Sequence, residues 1–162
     1  MGKLYVRVDD RLIHGQTIVA WCPTLKIEEI IAVDDVSAQN PMLKSILTMG
    51  VPKNYVTNIV TTAEANDLLK EKSNKNRLVI VKVPEKLGEL GENIRNCEQL
   101  ILGNMAKRPD TVHKVSGATG IFYLSEADVK LLDELADKGM DIVFHQLPNA
   151  SKVTWKAFKE TI

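Results

Sequence analysis

Short apolar runs alternate with helical patterns along the chain, and their order predicts an α/β fold. Leu4, Val6 and Val8 alternate with other residues, as in a β-strand. Residues 29–33 and 78–81 are near-continuous apolar runs, which are typical of parallel strands buried on both faces. Further runs of strand length occur at 55–60, 99–102, 111–115, 120–124 and 141–146.

Helix-start signals stand between these runs. Thr61-x-x-Glu64 and Ser125-x-x-Asp128 are capping-box patterns, and each precedes residues with helical spacing. A first helix is expected to follow the strand at 4–8 and to end before Pro23, because proline lacks the backbone N–H of the helical ladder. Residues 85–95 form a weaker helical pattern, and the tail to residue 162 favours a short helix.

Asn40-Pro41 predicts a further helix start, with an N-cap residue followed by proline at the first helical position. Met42, Ile46 and Met49 follow at helical spacing, which predicts one apolar face on this helix. Pro52 is expected to close the unit.

Strands and helices in this alternation predict one domain over residues 1–162. We expect a single open, mostly parallel (mixed) sheet of about six to seven strands, with helices on both faces. The 162 residues are 44% hydrophobic, which is enough for one full core.

Charge and cysteine content narrow the functional classes. Lys plus Arg and Asp plus Glu number 21 each, so broad binding to nucleic acid or to anionic membranes is not expected. Cys22 and Cys97 form no C-x-x-C pair and read as reduced thiols. His14, His113 and His145 are isolated from one another, so we expect neither a metal site nor a cofactor. No apolar run approaches the roughly 20 residues of a membrane span, and a cytoplasmic protein is expected.

The sequence VDDRLIHGQ at residues 8–16 concentrates the chemistry at a strand-to-helix junction. Open α/β sheets usually keep their functional residues there. His14 offers a nucleophilic or proton-accepting ring nitrogen. Arg11 is suited to pair with phosphate oxygens, and Asp9 or Asp10 to orient the imidazole. A structural alternative at about even odds is that Arg11 pairs with one of these carboxylates and His14 is a junction residue.

Backbone groups and a second acidic pair complete the candidate site. Gly15 and Gln16 are expected to present N–H groups of a helix start to a phosphate. Asp34 and Asp35 end the next strand and are candidates for the border of the site, although turn residues of this type are equally common.

Three other residues have less specific interpretations. Lys107 and Arg108 form a basic loop that is suited to a partner's phosphate, but a solvated pair is favoured about two to one. Trp21 is favoured as a core anchor rather than a ligand-stacking group.

The 8–16 motif, together with Trp21 in the following helix, resembles the N-terminal signature of a known family. This is the IIB subunit of the mannose/sorbose-type (mannose-fructose-sorbose family) sugar phosphotransferase system. The resemblance covers nearly the whole chain, through Asp35-Val36, Ala38, Met49, Pro52, residues 125–139 and Gln146-Leu147-Pro148. One departure is that the family often shows an Asn-x-Gly-Gly-like loop where this chain has Leu102-Gly103-Asn104-Met105, which leaves the contribution of this loop open.

The resemblance implies a role for each residue of the motif. His14 would accept a phosphoryl group from a phosphohistidine on the IIA subunit. It would then pass the group to a sugar held by the membrane subunits IIC and IID, as a component of a protein-N(π)-phosphohistidine–sugar phosphotransferase. Arg11 would clamp the phosphate. Such a chain would sit at the inner face of the membrane through its partners, and pairing into a homodimer stays open.

Transfer between two histidines calls for an exposed nucleophile rather than a deep pocket. Three other functions remain to be separated from this one. A histidine phosphatase also uses Arg and His, but it places them adjacent. A receiver-like domain needs an aspartate where this chain has Thr61-Thr62. A regulatory paralogue would be phosphorylated without onward transfer.

Overall fold

A computed structural model describes residues 1–15 and 18–162 of the chain, so Gln16 and Thr17 lie outside the described residues. The strands are β1 Leu4–Asp9, β2 Glu29–Val33, β3 Val56–Val60, β4 Arg77–Val81, β5 Gln99–Asn104, β6 Thr111–Lys114, β7 Tyr123–Ser125, β8 Ile142–Phe144 and β9 Val153–Thr154. The helices are α1 Gly15–Leu25, α2 Asp35–Ala38, α3 Pro41–Thr48, α4 Thr62–Lys70, α5 Glu85–Leu90, α6 Glu126–Asp137 and α7 Trp155–Lys159, with a 3-10 turn at Gly91–Ile94.

Seven strands form one sheet in the order β3-β2-β4-β1-β5-β8-β9. All neighbours are parallel except β8 and β9, which are antiparallel. The two short strands expected at 111–115 and 120–124 pair with each other as a separate antiparallel hairpin, β6-β7. The predicted open, mostly parallel sheet is confirmed.

Helices cover both faces of this sheet, as predicted. Ile18 and Cys22 of α1 pack with Ile80 of β4 on one face. On the other face Leu69 of α4 and Leu132 of α6 belong to the core that includes strand residues such as Val6, Val8 and Val79. Strand β1 is therefore a central strand buried on both sides.

The connections that leave β1 and β5 run in opposite directions. After β1 the chain passes through α1 to β2, whereas after β5 it proceeds to β8 at the other side of the sheet. In open α/β sheets such a reversal leaves a crevice at the carboxyl ends of the two strands. The β1-β5 register shifts there, and Asp9 lies opposite Asn104.

Helix α1 extends beyond its predicted end. Pro23 lies within the helix, near its C-terminus, because it removes only one N–H from the ladder. The helix stops instead at Lys26, whose left-handed backbone (φ 56°) lets its N–H donate to the Pro23 carbonyl. The N–H of Ile27 then donates to the Cys22 carbonyl, as is common at helix C-termini.

The capping predictions hold. Thr61 with Glu64 and Ser125 with Asp128 form capping boxes, and the Asn40 side chain accepts from the first backbone N–H groups of α3. Within the described residues, no helix is both long and apolar enough to cross a membrane.

The apolar face predicted on α3 does not pack into the core. Met42, Ile46 and Met49 are 72%, 57% and 80% exposed, and none of the residues in α3 is buried. Helical spacing identified the face correctly, but spacing alone does not say whether that face meets the sheet or the solvent.

Candidate functional site

His14 lies between β1 and α1, at the crevice between β1 and β5. It is the N-cap residue of α1, with an extended backbone, and its carbonyl accepts from the N–H of Ile18 at 2.9 Å. The side chain is half-buried, and its Nδ1 atom is enclosed without a hydrogen-bond partner in the described chain. The ring is thus less exposed than the sequence indicated, because the edge that carries Nδ1 is covered.

A tight turn carries the chain from β1 to this histidine. Leu12 adopts a left-handed backbone (φ 57°), and its N–H donates to the Asp9 carbonyl at 2.9 Å. This conformation costs a non-glycine residue about 1–2 kcal/mol. Burial of the Leu12 side chain in the core below α1 offsets that strain, which fixes the direction in which the loop leaves the sheet.

Gly15 begins α1, directly after His14, and its Cα faces open space. Apart from its two chain neighbours and the backbone of its own helix, a Cβ atom on Gly15 would meet no atom of the described residues within 4 Å. The first turn of α1 carries no acidic residue, so no carboxylate of that turn opposes an anion at the helix N-terminus. Gln16, the other predicted phosphate-binding residue, lies outside the described residues.

Asp9 holds the guanidinium of Arg11 in place. The carboxylate is fully buried; one oxygen accepts from the backbone N–H and Nε of Arg11, and the other accepts from Nη2, all at 3.0 Å. Hydrogen bonding to Asp9 raises the pKa of Arg11 above its usual value. The Arg11 side chain is 34% exposed, so a fixed positive charge reaches the surface in the same loop as His14.

Asp10 binds the end of β5 and the residues just after it, which together we call the 103–106 loop. Its oxygens accept from the Asn104 side-chain amide at 2.6 Å and from the Ala106 N–H at 2.8 Å. Neither Asp9 nor Asp10 is hydrogen-bonded to the imidazole in the part of the chain that is described, so the expected orienting role is not seen. The carboxylates instead orient Arg11 and the 103–106 loop, whose contribution the sequence had left open.

Arg7 is a site residue that sequence reasoning missed. It is 1% exposed, and its guanidinium donates to the carbonyls of His145 (3.1 Å) and Gln146 (2.8 Å). Its Nη2 also contacts Asp9 at 3.4 Å, and its Cζ lies 5.4 Å from the centre of the Trp21 ring. Burial lowers the pKa of Arg7 to about 10. A single arginine inside an apolar strand was the available signal, because a charge on a central strand must find partners.

Trp21 is a core anchor, as favoured from the sequence. It is buried, its indole N–H donates to the Gln146 carbonyl at 2.8 Å, and its ring meets His145 edge-on with centroids 5.0 Å apart. Trp21 and Arg7 therefore share one carbonyl and fasten the loop after β8 to the site.

Asp34 and Asp35 lie at the same edge of the sheet but two strands from β1, with β4 between. Asp34 caps α2 through Ser37 and lies 3.9 Å from Lys82 Nζ, while Asp35 accepts from the N–H of Thr62 at 2.7 Å. Both carboxylates thus have local structural partners, in line with the turn interpretation.

The basic loop divides into two different environments. Arg108 pairs with the buried Asp128, which forms the capping box of α6 with Ser125, whereas Lys107 is exposed. The expectation of a solvated pair is therefore correct only for Lys107.

The remaining cysteines and histidines have structural surroundings. Cys22 is buried and Cys97 half-buried, both as free thiols, and burial raises their pKa values to about 12 and about 11. His113 contacts Glu126 at 2.6 Å, and His145 Nε2 lies 3.2 Å from the Ala150 carbonyl oxygen.

Fold and site together define an open α/β domain with a histidine at the reversal of its strand order and a carboxylate-held arginine in the same loop. The chain belongs to the PTS system sorbose subfamily IIB component family, whose model matches residues 4–161. The resemblance noted from the first motif is thereby confirmed over nearly the full length.

Individual relatives agree with this assignment. The PTS system fructose-specific EIIB component of Bacillus subtilis (strain 168) is 25% identical over 154 residues, which cover 92% of this chain and 90% of that protein. The structure of manxB from Thermoanaerobacter tengcongensis has a TM-score of 0.84 at 25% identity and covers 99% and 96% of the two chains. The IIBSor domain of the sorbose permease from Klebsiella pneumoniae shares the fold, with a TM-score of 0.86 at 21% identity and coverage of 100% and 99%.

Proposed function

We propose that this IIB component carries a phosphoryl group on His14 between a IIA subunit and a sugar. Membership of the IIB family supports a general role as a phosphocarrier in a sugar phosphotransferase system. The observation that carries the specific proposal is the position of His14 at the β1-β5 crevice, in one loop with the Arg11 guanidinium that Asp9 fixes.

The proposed reaction consists of two transfers in sequence. A nitrogen of His14 first attacks the phosphorus of a phosphohistidine on IIA, so that a new N–P bond forms as the donor's N–P bond breaks. A sugar hydroxyl held by IIC and IID then attacks the same phosphorus, the N–P bond to His14 breaks, and the hydroxyl proton passes to the released imidazole. Arg11 and the N-terminus of α1 at Gly15 neutralise the charge on the phosphoryl oxygens in both steps.

The enclosed Nδ1 atom affects which nitrogen of His14 can carry the phosphoryl group. Nδ1 is the π nitrogen, and in the free chain it is shielded from solvent. Attack from Nδ1 therefore requires the ring to rotate about its side-chain bonds, toward the open space beside Gly15. Nitrogen-15 NMR of the phosphorylated chain distinguishes phosphorylation at Nδ1 from phosphorylation at Nε2.

The other candidate residues take supporting roles in this proposal. Asp9 positions Arg11, and Asp10 holds the 103–106 loop beside the crevice. We place Gln16 with Gly15 at the helix start from the sequence alone. The sugar stays open, because relatives and neighbours with this fold carry different sugar names.

Phosphorylation is tested by incubating the chain with the general phosphotransferase proteins, its IIA partner and radiolabelled phosphoenolpyruvate. We expect a base-stable, acid-labile label that is lost in His14→Ala and retained in the matched variant His113→Ala. Normal labelling of His14→Ala would refute the assignment of the site.

Onward transfer is tested by adding membranes that contain IIC and IID together with a panel of sugars. Loss of label from His14 with formation of a sugar phosphate supports the carrier role. Label that stays on His14 with every sugar would instead identify a regulatory paralogue, and steady release of inorganic phosphate from small phosphoesters would identify a phosphatase. The carrier would act at the cytoplasmic side of the membrane, held there by its partners.

A further inference from the structure

An exposed apolar surface lies on α2 and α3, away from the His14 loop. We define the α2–α3 surface by Val36, Met42, Ile46 and Met49, which are all more than half exposed. The last three share one face of α3, and α2 contacts α3. Soluble proteins rarely expose several large apolar side chains together unless the patch binds something.

Helix α3 gains little from the rest of the chain. It has eight residues, none of them buried, and isolated helices of this length are unstable in water. Leu47 is only partly buried against the core under α1. A helix with so little packing inside the chain is suited to complete its packing against a partner.

Two lysines dominate the charge beside this surface. The one carboxylate of α2, Asp35, lies 3.8 Å from Lys86 Nζ, while residues 36–63 contain Lys44 and Lys53, both exposed, and no Asp or Glu. A two-fold contact between copies of the chain would bring these lysines toward each other, which disfavours self-association through this face. A partner surface that is complementary to this one is apolar and flanked by carboxylates, which would pair with the two lysines.

A protein partner fits better than a lipid surface. Interfacial lipid-binding helices usually combine a larger apolar face with many basic residues, whereas α3 has two turns and a single lysine. Methionine side chains adapt to irregular protein surfaces, and two of the four residues that define the α2–α3 surface are methionines.

The position of the surface indicates which protein partner it serves. Helix α2 begins after β2 at the same sheet edge as the His14 loop, but two strands away from β1. A partner on α2 and α3 therefore binds at the same sheet edge as the His14 loop without covering that loop. This arrangement suits the acceptor side of the transfer, because a phosphate donor can then reach His14 while the acceptor is bound.

We infer that the α2–α3 surface docks this chain onto an apolar, carboxylate-flanked surface of the membrane subunits that hold the sugar. This inference rests on the proposed function, because it assumes that a membrane acceptor exists.

The test compares the full-length chain with Met42→Ser/Ile46→Ser in co-sedimentation with membrane vesicles that carry its IIC and IID subunits. Exposed apolar anchors at an interface dominate binding, so we expect the double variant to bind about tenfold or more weakly. Val112→Ser, a matched change at an exposed apolar residue on β6, should bind as wild type does. Lys44→Glu/Lys53→Glu should weaken binding several-fold, most at low salt, whereas Lys130→Glu on α6 should not.

Four outcomes would overturn the inference. The first is that the double variant binds the vesicles as well as wild type does, and the second is that wild type binds equally well to anionic lipid vesicles without the subunits. The third is a wild-type dimer in light scattering that the double variant abolishes. The fourth is slower labelling of the double variant by IIA. Labelling of wild-type His14 by IIA is measured in a separate assay without membranes. Failure of that labelling would refute the proposed function itself.

Discussion

The Arg7 guanidinium occupies the space in which a side chain on Gly103 would stand. A Cβ atom at Gly103 would lie 2.1 Å from Arg7 Cζ, far inside van der Waals contact. The same guanidinium donates to the carbonyls of His145 and Gln146, which hold it in place. A glycine is therefore required on β5 so that a buried charge on β1 can reach the loop after β8.

Gly103→Ala is expected to destabilise the chain by about 2–3 kcal/mol, as in other overpacked cores. The methyl group would displace Arg7 from the carbonyls that it binds, so that the His145 carbonyl would lose the Arg7 donor and the Gln146 carbonyl would keep only Trp21. Urea unfolding followed by circular dichroism measures the loss. Gly88→Ala is the matched control: its Cβ would lie 3.8 Å from Leu131 Cδ1, and alanine favours a helix. Equal stability of the two variants would show that Arg7 can move aside at little cost. That result would contradict the close packing of Arg7 against Gly103.

The shared carboxylate of Asp9 predicts a non-additive pair of mutations. Asp9→Asn removes the counter-charge of Arg7 and Arg11 at once, and we expect a loss of about 3 kcal/mol in the free energy of unfolding. In Arg7→Met/Asp9→Asn the buried cation is gone as well. The double variant should be more stable than the sum of the single effects by about 1–3 kcal/mol. Additive losses in a double-mutant cycle would mean that the contact between Arg7 and Asp9 contributes nothing.

The sequence predicted the frame of this site but not its interior. The alternation of strands and helices along the chain and the caps at Thr61 and Ser125 depend on local patterns, and these were predicted correctly. The pairing of Asp10 with Asn104 joins residues 94 positions apart, and no local pattern specifies it. Arg7 was overlooked for a related reason, because the alternating pattern of β1 does not reveal that α1 buries its second face.

His145 predicts a stability change on the acid side of neutrality. Burial lowers its pKa in the folded chain below the ordinary value of about 6.5, and Lys152 and Arg7 act in the same direction. The unfolded chain therefore binds a proton more readily, so the folded state is fully stable above that value and loses stability as the pH falls below it.

Replacement of this histidine tests the assignment. His145→Gln keeps a side-chain N–H that can donate to the Ala150 carbonyl but does not titrate. Unfolding free energies measured between pH 7.5 and pH 5 should fall more steeply for the wild-type chain than for the variant. Parallel curves would indicate that the His145 pKa is not lowered, and NMR titration of the ring provides an independent measurement.

The Asn104 amide predicts a variant whose stability recovers in acid. Asn104 donates to an Asp10 oxygen at 2.6 Å, so Asn104→Asp would set two carboxylates against each other at that distance. At neutral pH both are ionised, and we expect a loss of about 2 kcal/mol relative to wild type. The repulsion raises the pKa of the pair in the folded chain, so a proton shared between the two oxygens restores part of the stability as the pH falls. The stability difference between wild type and variant should therefore be smaller at pH 4.5 than at pH 7.5. Asn104→Ala, which loses the donor without adding charge, should show a difference that hardly changes over the same range. A constant difference for Asn104→Asp would mean that Asp10 turns away from the 103–106 loop when its amide partner is removed.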